Sequence, residues 1–219
     1  MTVRVIAIDG PAGAGKSTVA RRVAESTGLP FLDTGAMYRC VALTAVRRSV
    51  DPYDVLSVEA IAAGLDIRVE GGTTMMNGED VSTAIRTPEV NAVVSVIATN
   101  SGVRTVMRAA QRRWAEAMDG GVVEWRDIGT VVFPDAVLKV FLTASPLVRA
   151  RRRVAESGGD VDDVAKSIAE RDLIDSTRED SPLRPADGAH IVDSSDRGID
   201  EVVSTIVGLF DEAVQVDHG

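Results

Sequence analysis

The chain has 219 residues, 45% hydrophobic and 26% charged, enough for one α/β domain with insertions and a sizeable buried core. Its net charge of −9 argues against a non-specific nucleic-acid or acidic-membrane partner. No apolar run approaches the roughly 18 residues of a membrane helix, and the lone Cys40 excludes an internal disulfide.

That cysteine usage is compatible with a reducing compartment, and Asp9 and Gly10 interrupt the first apolar run too early for a signal peptide, so a cytoplasmic protein is expected. Of the 24 basic residues, only Lys16, Lys139 and Lys166 are lysine; much of that bias reflects genome composition, yet arginine also suits forked recognition of phosphates and bases.

Val3–Ile8 reads as a buried strand of a parallel sheet. It runs into Gly10-Pro11-Ala12-Gly13-Ala14-Gly15-Lys16-Ser17-Thr18, and a helix follows over Ser17–Thr27, stopped by Gly28 and Pro30. Strand, G-x-x-x-x-G-K-[ST] and helix, in that order, make a phosphate-binding loop. Its glycines allow the backbone to approach a phosphate, its amides and the helix N-terminus offer donors, Lys16 reaches the terminal phosphates, and Ser17 can ligate Mg²⁺. A chance glycine-rich turn would lack the flanking strand and helix. The loop implies a bound nucleoside triphosphate.

Phe31-Leu32 is a short strand leading to a helix over Ala36–Arg48. From about 50 to 90 the composition changes: a short helix at Ser57–Gly64, period-two alternation through Leu65–Glu70, a turn at Gly71-Gly72, and a hairpin signal at Asn77-Gly78. This predicts a small antiparallel insertion. Helices follow at Pro88–Ala98 and Val103–Ala117, a strand at Val122–Glu124, and another at Val137–Leu142. A basic helix covers Arg149–Glu156 and a further helix Val161–Arg171, whereas Asp172–Pro185 lacks apolar periodicity. His190–Asp193 is the last strand and Asp200–Val214 a closing amphipathic helix. The alternation predicts an α/β three-layer fold of the P-loop NTPase type, with a parallel five-stranded sheet and helices on both faces.

A phosphate loop does not separate a kinase from a switch GTPase or a motor, but the N-K-x-D guanine motif is missing from this sequence. Arg39, Arg126, Arg152 and Arg171 fall on loops or helices that follow strands or flank the late insertion, and doubly wound sheets bind ligands at the carboxyl ends of their strands. Moving a phosphoryl group between two anions needs several fixed cations, so these arginines suit an enzyme with two phosphorylated substrates.

Three stretches then carry a family resemblance: Ile8–Thr18, Leu32-Asp33-Thr34-Gly35-Ala36-Met37-Tyr38-Arg39, and Arg126-Asp127-Ile128-Gly129-Thr130-Val131-Val132-Phe133-Pro134-Asp135-Ala136. With Asp80–Val90 and Glu170-Arg171-Asp172 they resemble bacterial cytidylate (CMP) kinase over essentially the whole chain. The resemblance implies a single P-loop kinase domain over 1–219, a monophosphate-binding insert at about 50–90 and a lid at about 149–178. It implies transfer of the γ-phosphoryl of Mg²⁺-bound ATP to CMP, and to dCMP, in a cytoplasmic monomer of pyrimidine metabolism.

Carried over by position, the resemblance puts ATP on residues Gly10 to Thr18 of the loop and on Arg152, and the metal on Ser17. Thr34, Arg39 and Arg126 match positions near the acceptor phosphate. Ser95, Arg104 and Arg178 match positions that read cytosine, whose N3 and O2 acceptors suit arginine. Asp175 and Arg171 match positions close to the ribose, and Glu124 keeps the carboxylate of the acceptor-side motif. Lys16, Arg126, Asp127 and Arg171 are the catalytic set, with Asp127 organising either the metal's water shell or the surrounding arginines. Arg149–Arg153 fall in the lid.

Two departures stand out. Glu124-Trp125-Arg126-Asp127 has a Trp where the family usually has Gly; a required positive φ there would strain Trp125, and otherwise the ring covers a base or packs on the lid. Ile174 and Ser176 occupy a stretch that is often richer in arginine.

The remaining features have plainer readings. Arg108, Arg112 and Arg113 make a solvated helix face, Cys40 and Met75-Met76 pack, and Trp114 packs rather than stacks on a base. His190 and His218 lack a partner at ligand spacing, so no histidine metal site or triad is expected. The rival readings are a kinase for UMP or another nucleotide, and an ATP-sensing regulator without phosphoryl transfer.

Overall fold

The computed structural model describes residues 3–217, so His218 lies outside the described residues. The first elements are β1 (Arg4–Asp9), α1 (Lys16–Thr27), β2 (Phe31–Asp33), α2 (Thr34–Arg47), α3 (Val55–Ala63), β3 (Ile67–Glu70), β4 (Thr73–Met76) and β5 (Glu79–Asp80). There follow α4 (Pro88–Ile97), α5 (Ser101–Ala117), β6 (Gly120–Trp125), β7 (Leu138–Thr143), α6 (Pro146–Ser157), α7 (Val161–Thr177), β8 (His190–Asp193) and α8 (Ile199–Asp217). A single-turn helix at Ala84–Arg86 and a wide helical turn at Ile128–Val132 complete the set.

A five-stranded sheet has the order β2-β6-β1-β7-β8. Strand β1 lies parallel to β6, with Ile8 opposite Glu124 and Asp9 opposite Trp125, and parallel to β7 on its other side. Its alternate residues Ile6 and Ile8 join Val122, Leu138, Val140, Leu142 and Val192 on one face. Val19, Ala20 and Val23 of α1 and Val202, Val203, Ile206 and Phe210 of α8 cover that face. Val5, Ala7 and Val123 are equally buried, which explains the near-continuous apolar runs of these strands.

The chain divides into two compact units: unit 1 is everything up to Phe31 together with Ala115 onward, and unit 2 is Leu32–Trp114. Unit 2 contains the antiparallel sheet β3-β4-β5. Asn77 and Gly78 join β4 to β5 with φ of 50° and 83°, the two-residue turn with positive φ at both positions that suits a hairpin's twist. Trp114 lines a small cavity of about 110 Å³ with Leu32, Met37, Ile67 and Val69, as a packing residue.

Two element boundaries differ from the sequence reading in ways that reach the site. Helix α2 begins at Thr34 rather than Ala36, because the Asp33 carboxylate accepts from the Ala36 amide at 3.1 Å and caps it there. Helix α7 does not stop at Arg171 but runs to Thr177. Its last turns are held by ion pairs and a hydrogen-bonded end rather than by an apolar stripe, so periodicity could not reveal them.

Candidate active site

The loop after β1 is shaped by close backbone approach. Gly10 has φ of 151°, and a Cβ there would lie 2.0 Å from the Leu142 carbonyl oxygen of β7. Gly13, at φ 74°, would set a Cβ 3.0 Å from the Arg149 carbonyl oxygen. Gly10 is closed to a side chain, and Gly13 is crowded and held at a φ that side chains rarely adopt. Lys16, the first residue of α1, is 6% exposed, and its Nζ donates to the Pro11 carbonyl at 2.8 Å, curling over the loop. Burial, reinforced by Arg126 and Arg171 and opposed by Glu124 and Asp175, brings the Lys16 ammonium down to about 7. The exposed Ser17 hydroxyl donates to Glu124 Oε1 at 2.8 Å, from the neighbouring strand β6.

Asp9, the last residue of β1, is 3% exposed and was no site candidate on the sequence. Its Oδ1 accepts from the Ile128 amide at 2.8 Å and its Oδ2 from the Gly129 amide at 2.7 Å. Burial raises its carboxyl to about 7 against these two bonds. The carboxylate thus fastens the turn after β6, the turn that carries Arg126 and Asp127, to the strand that carries the phosphate loop. A carboxylate ending an apolar strand just before a glycine-rich loop was the available sequence signal.

On β6 and α7 the charged residues converge within unit 1. Arg126 is 3% exposed, and its Nε donates to Asp175 Oδ2 at 2.8 Å. Arg178 lies 3.7 Å from Asp175 and 3.9 Å from Asp127, and its Nε donates to the Ser181 carbonyl at 2.7 Å. Burial alone would raise the Asp175 carboxyl; Arg126, Arg171 and Arg178 outweigh it and hold it below its usual range. Positions 171, 175 and 178 share a helical face, which the extension of α7 to Thr177 makes possible. Trp125 is buried without positive φ, so its replacement of a glycine costs no backbone strain. Its ring faces the Arg126 guanidinium at 4.6 Å and the Arg171 guanidinium at 5.9 Å.

The basic helix α6 reaches the loop from its far side. Arg149 donates to the Ala12 carbonyl at 3.0 Å and the Ala144 carbonyl at 3.1 Å, and pairs with Asp172 of α7. Asp172 in turn accepts from the Ala12 amide at 3.2 Å. Arg152 donates to the Ala14 carbonyl at 3.3 Å and to both the hydroxyl and carbonyl of Ser194. Asp172 and Ser194 were not candidates on the sequence.

The other expected residues lie in unit 2. Thr34 is fully buried at the start of α2. Arg39 is 9% exposed and donates to the Ile85 carbonyl at 3.1 Å and to Asn91 Oδ1 at 2.6 Å, while Arg86 pairs with Asp33 at 3.2 Å. Arg104 is fully buried, donates to the Ala98 carbonyl, and stands 5.8 Å from the Tyr38 ring. Ser95 is half-buried on α4. Unit 1 therefore brings together the loop with Glu124, Arg126, Asp127, Arg171, Asp175 and Arg178, and unit 2 holds Thr34, Arg39, Ser95 and Arg104.

A parallel sheet whose first strand feeds a glycine-rich loop, with a buried lysine and a bank of arginines, defines a P-loop kinase. The fold is similar to that of a gluconokinase from Sinorhizobium meliloti 1021, with a TM-score of 0.53 at 16% identity, covering 99% of this chain and 96% of that one. The cytidylate kinase family model matches residues 6–212, and the chain belongs to that family. It is 49% identical over 212 residues to the cytidylate kinase of Desulforamulus reducens, covering 93% of this chain and 95% of that protein. It is also 49% identical to the bifunctional pantoate ligase/cytidylate kinase of Prochlorococcus marinus MIT 9313, covering 94% of this chain but 43% of that protein. The chain thus spans less than half the length of the bifunctional relatives it matches.

Proposed function

We propose that the protein is a cytidylate kinase that transfers the γ-phosphoryl of ATP to CMP, and also to dCMP, giving ADP and the cytidine diphosphate. The observation that carries this reading is the convergence of Lys16, Arg126 and Arg171 at the loop, where burial, reinforced by the two arginines, depresses the Lys16 ammonium, in a chain of the cytidylate kinase family. An acceptor phosphate oxygen attacks the γ-phosphorus in line while the bond to the β–γ bridging oxygen breaks. No covalent enzyme intermediate is required.

Gly10 to Thr18 and Arg152 hold the triphosphate. Lys16, Arg126 and Arg171 offset the charge on the transferring group, which is positioning plus electrostatic stabilisation. The donors at the loop are hard oxygens, the Ser17 hydroxyl and the Glu124 carboxylate 2.8 Å from it, and they suit Mg²⁺, which keeps several waters and takes the rest of its shell from phosphates. Bound with ATP, Mg²⁺ supplies charge neutralisation. In this reading Glu124 serves the metal's side rather than CMP, and Asp127, beside Arg178, organises the arginines.

Thr34 and Arg39 receive the acceptor phosphate, Ser95, Arg104 and Arg178 read cytosine, and Asp175 with Arg171 holds the ribose. The segment at about 50–90 acts as the monophosphate-binding insert and about 149–178 as the lid of one kinase domain. Closure of both excludes water, which would otherwise accept the phosphoryl group. The enzyme works as a monomer in the cytoplasm; no helix among the described residues is long and apolar enough to cross a membrane.

Coupled ADP release with ATP and a panel of monophosphates tests the proposal. CMP should lead, with dCMP close behind and UMP weaker. A UMP maximum would point to the other kinase reading, and tight ATP binding without CMP-dependent ADP release would leave a nucleotide sensor.

A further inference from the structure

Three cations meet in unit 1: Lys16, Arg126 and Arg171. Arg126 is anchored by Asp175 through Nε, and Arg171 is half-buried on α7, one helical turn before Asp175. Two guanidinium groups of like charge repel at short range, and the Asp175 carboxylate, which attracts both, offsets part of that repulsion. The ring of Trp125 meets both, at 4.6 Å and 5.9 Å, within the range where the electron-rich face of an indole attracts a cation. It is 7% exposed, so water competes little for those contacts.

We propose that Trp125 is a positioning residue for phosphoryl transfer: its indole is a shared cation–π platform that aligns Arg126 and Arg171 for the substrate phosphate. The inference rests on reading those two arginines as phosphate-holding groups. The position is apt, because Trp125 ends β6, between Glu124, which meets Ser17, and Arg126 itself. Its ring also ties a strand residue to α7, so that Arg171 is registered against the sheet through π contact.

The chain has two tryptophans, Trp114 and Trp125, so in Trp114→Phe only Trp125 remains and can be replaced uniformly by indole analogues. Ring fluorination weakens the cation–π attraction stepwise while keeping shape and apolar character. From indole through monofluoro- to trifluoro-indole, kcat/KM for CMP should fall in a graded series, reaching about tenfold, with the melting temperature and the KM for ATP nearly constant. Trp125→Phe should lose a few-fold and Trp125→Leu more. The Nε–Hε resonances of Arg126 and Arg171 should show ring-current shifts that vanish in Trp125→Leu. A flat fluorination series in an enzyme that turns over CMP, or arginine resonances without ring-current shifts, would overturn the platform. An unsubstituted protein that failed to release ADP with CMP would break the functional reading instead, and the arginine resonances would still decide the platform.

Discussion

The two ends of the nucleotide machinery in unit 1 are built on opposite principles. At the N-terminus of α1 the proposed anion site is made of backbone: Gly10 where no Cβ fits, Gly13 held at positive φ, a curled Lys16, and the amides of a helix start. At the end of α7 the site is made of side chains, with Arg126, Asp175, Arg178 and Asp127 locked into one buried set. A backbone cradle tolerates almost no substitution but needs no partner. A side-chain cluster allows substitution in principle, yet each member removed weakens the compensation of a buried opposite charge.

The largest effect should come from the backbone end. Lys16→Ala should lower CMP-dependent ADP release by about a thousandfold while the protein stays folded. The melting temperature should rise rather than fall. The ammonium is depressed in the fold, so its charged form burdens the folded state below about pH 7, and the burden fades as pH rises toward the unfolded value of 10.5. The stabilisation should therefore be larger at pH 6 than at pH 10. A folded variant that kept its turnover would break the comparison at its first term.

Next comes the carboxylate that joins the two ends. Asp9→Asn sets an NH₂ against the amide of Ile128 or Gly129, and should cost about 2 kcal/mol of stability. It should also reduce kcat by about a hundredfold, because the turn carrying Arg126 and Asp127 loses its fastening. A larger loss in Asp9→Ala, which removes both acceptors, than in Asp9→Asn, which keeps one, would sharpen the assignment to the missing acceptors. Urea melts and steady-state kinetics on both variants read it out.

At the side-chain end, Asp175→Asn should remove the carboxylate charge that Arg126 and Arg178 share and raise the KM for CMP by about tenfold, with a smaller change for ATP. Equal shifts for both substrates would place Asp175 on the triphosphate side. The mildest test is pH. Lys16 near 7 must be protonated to hold phosphate, so ATP binding should take up a proton and weaken by roughly tenfold between pH 6 and 8. Calorimetry in buffers of different ionisation enthalpy detects the uptake, and Lys16→Ala should abolish it.

The same contrast explains what could be read in the residues beforehand. The loop was legible because glycine spacing reports backbone conformation directly, and the Asn77-Gly78 hairpin was legible for the same reason. The parallel sheet followed from apolar runs, and β1 keeps its expected six residues but sits one position later, from Arg4 to the buried Asp9. The C-terminal half of α7 was not legible, since its residues are polar and are held by partners more than 40 positions away, as Asp175 is by Arg126. The role of Trp125 was open for the same reason. Whether a tryptophan covers a base, packs, or faces arginines depends on which helix passes over it. The pairing of Glu124 with Ser17 needed the strand order, which places β6 next to β1.

The clasp around Ala12 carries a mechanical consequence. Asp172 takes the Ala12 amide, Arg149 takes the Ala12 carbonyl, and the two side chains grip each other, so a single peptide of the cradle is held from α6 and α7 at once. Any nucleotide that shifts that peptide must tug on both helices, and any swing of the helices must tilt the peptide. On the proposed reading of α6 and α7 as a lid, occupancy and lid posture are then one variable rather than two. Cutting the clasp with Asp172→Asn should let them drift apart, and the lid's amide-exchange protection would stop answering to ATP.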